Sequence, residues 1–377
     1  MLRDYVKTIK NVMVTKRILY LFVIIFFLCF SGTDPSRESQ FRLKTVVIDP
    51  GHGGKDPGNL GTGKFKTYEK DVVLAISLKL GKYISENYDD INVIYTRQKD
   101  EFIGLKERAD IANKNKADIF ICIHANSNKS SAPYGTNTFV MGLNKTQANL
   151  ELSKRENASI LMEDDYVTKY EGYDPNSPEA DIIFSLYQNA YLDQSLEFAA
   201  MVQKQFKNRA KRKDRGVKQA GFLVLHQTTM PSILVETGFL TNKEEEKFLN
   251  SENGQDYLAS AIYRAFKDYK TVMEGTLPAN FSPNEPMQIV DGIIFRVQIV
   301  TSSNAISLDS PKFNGITNVQ EYVSGGWFKY TAGEKRDLAS AYRLQVEVRE
   351  KGFSSAFVVA FHNGERINLQ DAIKMVK

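Results

Sequence analysis

The chain has 377 residues, 42% hydrophobic and 25% charged, a composition that fits an ordinary globular protein with room for two or three domains. Its formal net charge of +4 is weak for this length and argues against a nucleic-acid binder, which would concentrate positive charge on one face. Two cysteines, Cys29 and Cys122, exclude a disulfide scaffold if the first is removed with the segment that holds it.

In chain order, Lys16 and Arg17 precede an apolar run, Ile18–Phe30, that ends in Ser, Gly and Pro. The run falls short of the roughly 18 residues of a bilayer span, so residues 1–31 read as a secretory signal. Cys29 and Ser31 suit cleavage after Ser31; an uncleaved N-terminal anchor is the alternative, and Met13 as the start would leave a more ordinary basic region. From Lys44 onward strands and helices alternate. "TVVIDP", "INVIYTR", "DIFICIH", "FLVL" and "SILVE" read as strands. Helices are predicted through Val72–Ile84, through Leu105–Ala112, and at about 194–212 and 243–269. Continuous apolar strands between helices predict an α/β fold, a mainly parallel sheet covered on both faces.

Residues 150–193 break this rhythm. From Glu163 to Asp181 there are seven acidic residues against one lysine, which reads as an acidic insertion with its own loop and one or two short helices. "KNRAKRKDR" (Lys207–Arg215) reads as the solvated end of a helix, where cations suit the dipole. Residues 271–290 form a proline-containing linker. Residues 291–377 show a strand–helix–strand–strand–helix–strand order, a small α+β domain of ferredoxin-like type.

The loop after the first strand, "GHGGKDPGNLGTGK", invites two readings. Gly58, Gly63 and Lys64 match the core of a phosphate-binding loop, but Phe65 replaces the Ser or Thr that would hold magnesium, and no helix starts at Lys64. The metal reading fits better. His52 and His124 follow strands, Glu69 opens a helix with Thr67 as its N-cap, and Glu236 closes a strand. In a parallel sheet all four emerge at the carboxyl ends, where α/β proteins build their sites. Two histidines and a carboxylate make a three-ligand zinc site with a place for water, and a further carboxylate can take the proton. Taken singly, each also fits a structural role.

Together, "VVIDPGHGGKDPG", Glu69 at a helix start, "ICIHAN" and "MPSILVETGFLTN", with "RADIAN" and "RGVKQAGFLVL", resemble the zinc-dependent N-acetylmuramoyl-L-alanine amidases of the amidase-3 type. The resemblance covers residues 43–270. It implies an α/β catalytic domain that cleaves the amide between MurNAc and L-alanine of peptidoglycan, in wall turnover or daughter-cell separation. It further implies one zinc ion on His52, Glu69 and His124, with Glu236 as general base, and a periplasmic or exported location. Asn126 is open between substrate contact and loop brace, His226 between oxyanion stabiliser and rim residue, and His362 reads as surface. Residues 291–377 resemble a SPOR domain, a peptidoglycan-glycan-binding module, on "FRVQIVTS", "WFKYTAGE" and "LQVEVREKGFSSAFVVAF". Trp327, Phe328 and Tyr330 are its candidate sugar-stacking aromatics, core being the alternative.

The rival functions are a zinc peptidase cutting within the stem and a non-catalytic peptidoglycan-binding protein; the full set of ligand types plus Glu236 argues against the latter. Some members of the resembled family cover the zinc cleft with a helix that a protein activator displaces. "EADIIFSLYQNAYLDQ" (Glu179–Gln194) offers an apolar stripe for that role in the 150–193 insertion, with Glu179 or Asp181 at the open zinc position.

Overall fold

The computed structural model describes residues 42–144, 146–177, 191–274, 291–324, 326–353 and 355–376. The predicted signal, the 271–290 linker beyond Glu274, and Glu179–Ala190 with its apolar stripe lie outside them. Among the described residues, no helix is long and apolar enough to cross a membrane.

The first layer runs β1 (Thr45–Pro50), α1 (Glu69–Asn87), β2 (Asn92–Tyr95), α2 (Leu105–Lys114), β3 (Ile119–Asn126), β4 (Thr136–Met141) and α3 (Gln147–Asn157). It continues with α4 (Leu192–Asn208), β5 (Asp214–Ala220), β6 (Ser232–Phe239), α5 (Lys243–Leu249) and α6 (Glu252–Met273). Its sheet has the order β2-β1-β3-β6-β4-β5, parallel except where β4 meets β6. Successive side chains of the central strands alternate between two cores. Val46, Ile48, Ile119, Ile121 and Ile123 share one core with α1, α4 and α6. Val47, Phe120 and Cys122 belong to the other, with Ala112 of α2 and Leu152 of α3. A two-residue period buried on both faces is why these strands read as unbroken apolar runs.

Two local expectations are corrected. "FLVL" is not a strand but a helical turn, Leu223–His226, whose apolar residues fill the second core. Periodicity cannot separate the two in so short a run. The edge strand is instead β5, a polar segment with little apolar pattern. Thr67 does not cap α1: Tyr68 is the N-cap residue, its N–H donating to Asp71 Oδ2 (2.9 Å), while the Thr67 hydroxyl bonds Asn250.

The C-terminal sheet comprises β7 (Ile293–Ser302), β8 (Val319–Ser324), β9 (Trp327–Lys335), β10 (Phe357–His362) and β11 (Glu365–Ile367), in the antiparallel order β11-β10-β7-β9-β8. α7 (Leu338–Glu350) and α8 (Leu369–Met375) accompany it. A single 3-10 turn, Pro311–Phe313, stands where the first helix of a ferredoxin-like order is predicted. One apolar cluster runs from α4 and α6 into this sheet. The buried Lys329 Nζ meets Asp193 Oδ2 of α4 at 2.6 Å.

Candidate metal centre

His52 follows β1 in a left-handed backbone conformation (φ +59°). Asp56 Oδ2 lies 2.8 Å from its Nδ1, leaving Nε2 to face inward. Glu69, at the start of α1, accepts from the Ala125 N–H (2.9 Å) through Oε1 and from the Asn59 N–H (2.9 Å) through Oε2. His124, near the end of β3, turns Nδ1 toward Glu69 Oε1 at 3.1 Å. The rings of His52 and His124 meet edge to face, 4.7 Å between centroids.

Glycine has a definite task here at two positions. A Cβ on Gly51 would lie 2.4 Å from His124 Nε2. One on Gly58, where φ is +65°, would lie 2.6 Å from His52 Cδ2 and 2.9 Å from Glu69 Oε2. The loop is glycine-rich because backbone passes close to these side chains.

A fourth group completes the cluster. Glu156, near the end of α3, places Oε2 3.3 Å from His52 Nε2 and 3.2 Å from His124 Nδ1. One donor atom from each of His52, Glu69, His124 and Glu156 lies within 4.8 Å of the others. His52 Nε2 and Glu156 Oε2 are buried and, among the described residues, form no well-aligned hydrogen bond despite their closeness. Two imidazole nitrogens and two carboxylate oxygens packed this tightly fit a four-coordinate divalent transition metal such as zinc.

Electrostatics agree with a site built for a cation. Burial works against protonation of His52, but the Glu69 charge and bonds to Asp56, Glu156 and Glu69 raise its pKa well above 6.5. Burial opposes it at His124 too, where Cys122 and Glu156 outweigh it and raise the pKa well above 6.5. Burial would raise Glu69 and Glu156, yet the imidazoles hold both well below the usual carboxylate range.

Glu236 stands beside the cluster on β6, paired with His124 of β3 on one side and Asn137 of β4 on the other. It is fully buried, and among the described residues neither carboxylate oxygen has a partner. Burial, then the Glu156 charge, push its pKa up to about 8.

The structure thus brings together all four residues singled out from sequence. Asn126 accepts the Ser127 N–H (2.7 Å), a local brace. His226 ends the Leu223–His226 turn outside the cluster, and burial lowers its pKa. His362 closes β10. Tyr330 belongs to the C-terminal core, stacked 5.1 Å from Phe313, whereas Trp327 and Phe328 are half-buried. Sequence reasoning missed Glu156 and Asp56. Asp56 was findable, lying four residues after His52 in one loop; Glu156 sits in a charged helix with no distinguishing pattern.

The family model for N-acetylmuramoyl-L-alanine amidase (amidase-3) matches residues 46–268. The chain is 36% identical over 248 residues to the N-acetylmuramoyl-L-alanine amidase AmiC of Escherichia coli O6:H1, covering 63% of this chain and 56% of that protein. It is 34% identical over 238 residues to AmiA of Escherichia coli K12, covering 62% of this chain and 79% of that one. Among solved structures, the amidase from Clostridium difficile 630 shares 32% identity, with 60% of this chain and 97% of that chain covered and a TM-score of 0.46.

Proposed function

Since this chain belongs to the N-acetylmuramoyl-L-alanine amidase family, we propose that it hydrolyses the amide between MurNAc and L-alanine of peptidoglycan, with zinc on His52, Glu69 and His124. The observation that carries this reading is the buried ligand cluster at the carboxyl ends of β1 and β3, with the unpartnered Glu236 beside it. Zinc bound there supplies a Lewis acid for the scissile carbonyl and makes water easier to deprotonate. Glu236 takes the proton from the attacking water and later gives it to the alanine nitrogen as the C–N bond breaks. Its raised pKa suits a group that must hold that proton between the two events. Asp56 fixes the His52 ring so that Nε2 remains the ligand nitrogen.

With zinc bound on the other three residues, Glu156 would take the place that water or the substrate carbonyl has to enter. This is a resting state: α3, the entry to the 150–193 insertion, withdraws Glu156 before substrate binds, and a protein activator that displaces the insertion is the natural trigger. Glu156 is the carboxylate that the described residues offer for this place; Glu179 and Asp181, the sequence candidates, lie outside them. Residues 291–377 serve as a SPOR-like module that holds peptidoglycan glycan, beyond the 271–290 linker. Residues 1–31 direct export to the periplasm or anchor the chain there.

The test is metal content together with activity on peptidoglycan. The wild-type chain should bind one zinc and release stem peptides, and His52→Ala or His124→Ala should lose both. A wild-type chain that hydrolyses peptidoglycan equally well after exhaustive chelation would contradict the assignment.

A further inference from the structure

Two arginines lie under the metal-binding loop, each only 2% exposed. Arg108 of α2 donates through Nη1 to Pro50 O (2.7 Å) and Asp49 Oδ1 (2.8 Å), through Nη2 to His52 O (2.7 Å), and through Nε to Ile103 O (2.9 Å). Arg97, just after β2, donates through Nε to Pro50 O (3.0 Å) and through Nη2 to Gly51 O (2.7 Å) and Lys70 O (2.8 Å). Three consecutive carbonyls, of Pro50, Gly51 and His52, are therefore held by two guanidinium groups. The third belongs to the residue whose φ is +59°, a conformation that a side chain with a Cβ rarely takes unless its surroundings impose it. Asp49, which also accepts the Thr96 hydroxyl (2.6 Å), is among the described residues the one buried carboxylate that ion-pairs with these arginines, through Arg108. Two buried cations against one carboxylate is a poor way to stabilise a fold, since buried charge is costly unless it is fully paired. It is a good way to fix a backbone, because the planar fork binds several carbonyls at set angles where an ammonium cannot.

We propose that Arg108, seconded by Arg97, is a positioning residue for the metal centre. Its guanidinium imposes the left-handed turn at His52 and so aims Nε2 at Glu69 and His124. This rests on reading the cluster as a metal site, and the experiment separates the two.

Full-length wild-type protein, Arg108→Met and Arg97→Lys are titrated with cobalt(II) against a competing chelator, and the visible absorption of the bound cobalt is recorded. Amide exchange across residues 50–56 is measured on the metal-free proteins. Arg108→Met should bind cobalt about 10- to 100-fold more weakly, the usual cost of losing an outer-shell partner. Its cobalt spectrum should change, and the Gly53 and Asp56 amides, which bond each other's carbonyls at 2.9 and 3.1 Å, should exchange faster. Added guanidinium ion should restore part of the affinity. Arg97→Lys should shift the same readouts by less, and it carries the test if Arg108→Met fails to fold. Unchanged loop exchange with unchanged cobalt affinity and spectrum in a folded variant would overturn the proposal. Failure of the wild-type chain to take up cobalt would fall on the metal reading, while the exchange comparison still decides the clamp.

Discussion

Glu236 is an acid in surroundings that disfavour its charge. Its pKa of about 8 means that, without metal, burying it costs stability at every pH above its ordinary value of 4.5. Glu236→Gln should therefore leave the metal-free fold as stable at pH 7 or more so, which thermal unfolding would register. The same variant should keep its zinc and lose turnover by roughly 10²–10⁴-fold, the usual share of a general base. Near-native turnover would exclude Glu236 from that role. The imidazoles give a second test. His52 and His124 have pKa values raised above 6.5, so their contribution is complete below that pH and fades as pH rises. Glu69 and Glu156 are lowered from 4.5, so theirs is complete above that pH and fades on acidification. The metal-free protein should gain most from the cluster between pH 4.5 and 6.5. Because metal must displace the imidazole protons, zinc affinity should climb with pH above that window, with protons released on binding. Calorimetry in buffers of different ionisation enthalpy would count them; zinc affinity flat from pH 6 to 9 would contradict the assignment. That His52, Glu69, His124 and Glu236 gather was legible because the apolar runs set them near the carboxyl halves of strands or at a helix start, although β3 and β6 continue past His124 and Glu236. Glu156 was not, because a carboxylate on a charged helix matters only through a contact that the sequence does not display.

At the level of elements, the proposed resting state rests on α3, which brings Glu156 to the cluster. Its N-terminus is capped by Thr146, whose hydroxyl accepts from the Asn149 N–H, and its far end carries Arg155 and Glu156 into the site. Arg155 Nη2 lies 3.2 Å from Glu156 Oε1, so removing the Glu156 charge also frees this arginine. Glu156→Gln should raise basal hydrolysis of peptidoglycan by weakening the hold on the cluster, while zinc stays on the other three ligands. A folded, zinc-loaded Glu156→Gln enzyme with an unchanged basal rate would contradict the resting-state reading. The central strands and the long helices were readable from period and apolar content. β4 and β5 were not, because "TNTFVM" and "DRGVKQA" mix polar and apolar residues toward the sheet's far edge. "FLVL" was misread because four buried residues fit a strand and a helical turn equally well.

At the scale of the whole chain, the C-terminal sheet is not hung on a free tether in this conformation. Its core continues into α4 and α6, and Lys329 and Asp193 bridge the boundary with only 3% and 13% of their side chains exposed. Asn368 Nδ2 donates to Glu197 Oε2 (3.2 Å), and burial pushes the Glu197 pKa up to about 7. Breaking the pair from one side leaves a buried charge alone, so Lys329→Met should cost about 3–5 kcal/mol in chemical denaturation. Replacing both partners with apolar residues should cost much less. Equal losses for the single and double variants would mean that the pair is not coupled. The resemblance of residues 291–377 to a glycan-binding module predicts that the full chain sediments with insoluble peptidoglycan better than a chain ending at residue 274.

Isotope placement shows directly which bond the enzyme cuts. Peptidoglycan fragments are digested by the zinc-loaded chain in ¹⁸O-water and the products are weighed by mass spectrometry. Cleavage of the lactyl amide puts a single ¹⁸O on the MurNAc carboxyl group and leaves L-alanine with a free amine and no label. Label on the carboxyl of an amino acid within the stem, with MurNAc still joined to L-alanine, would contradict it.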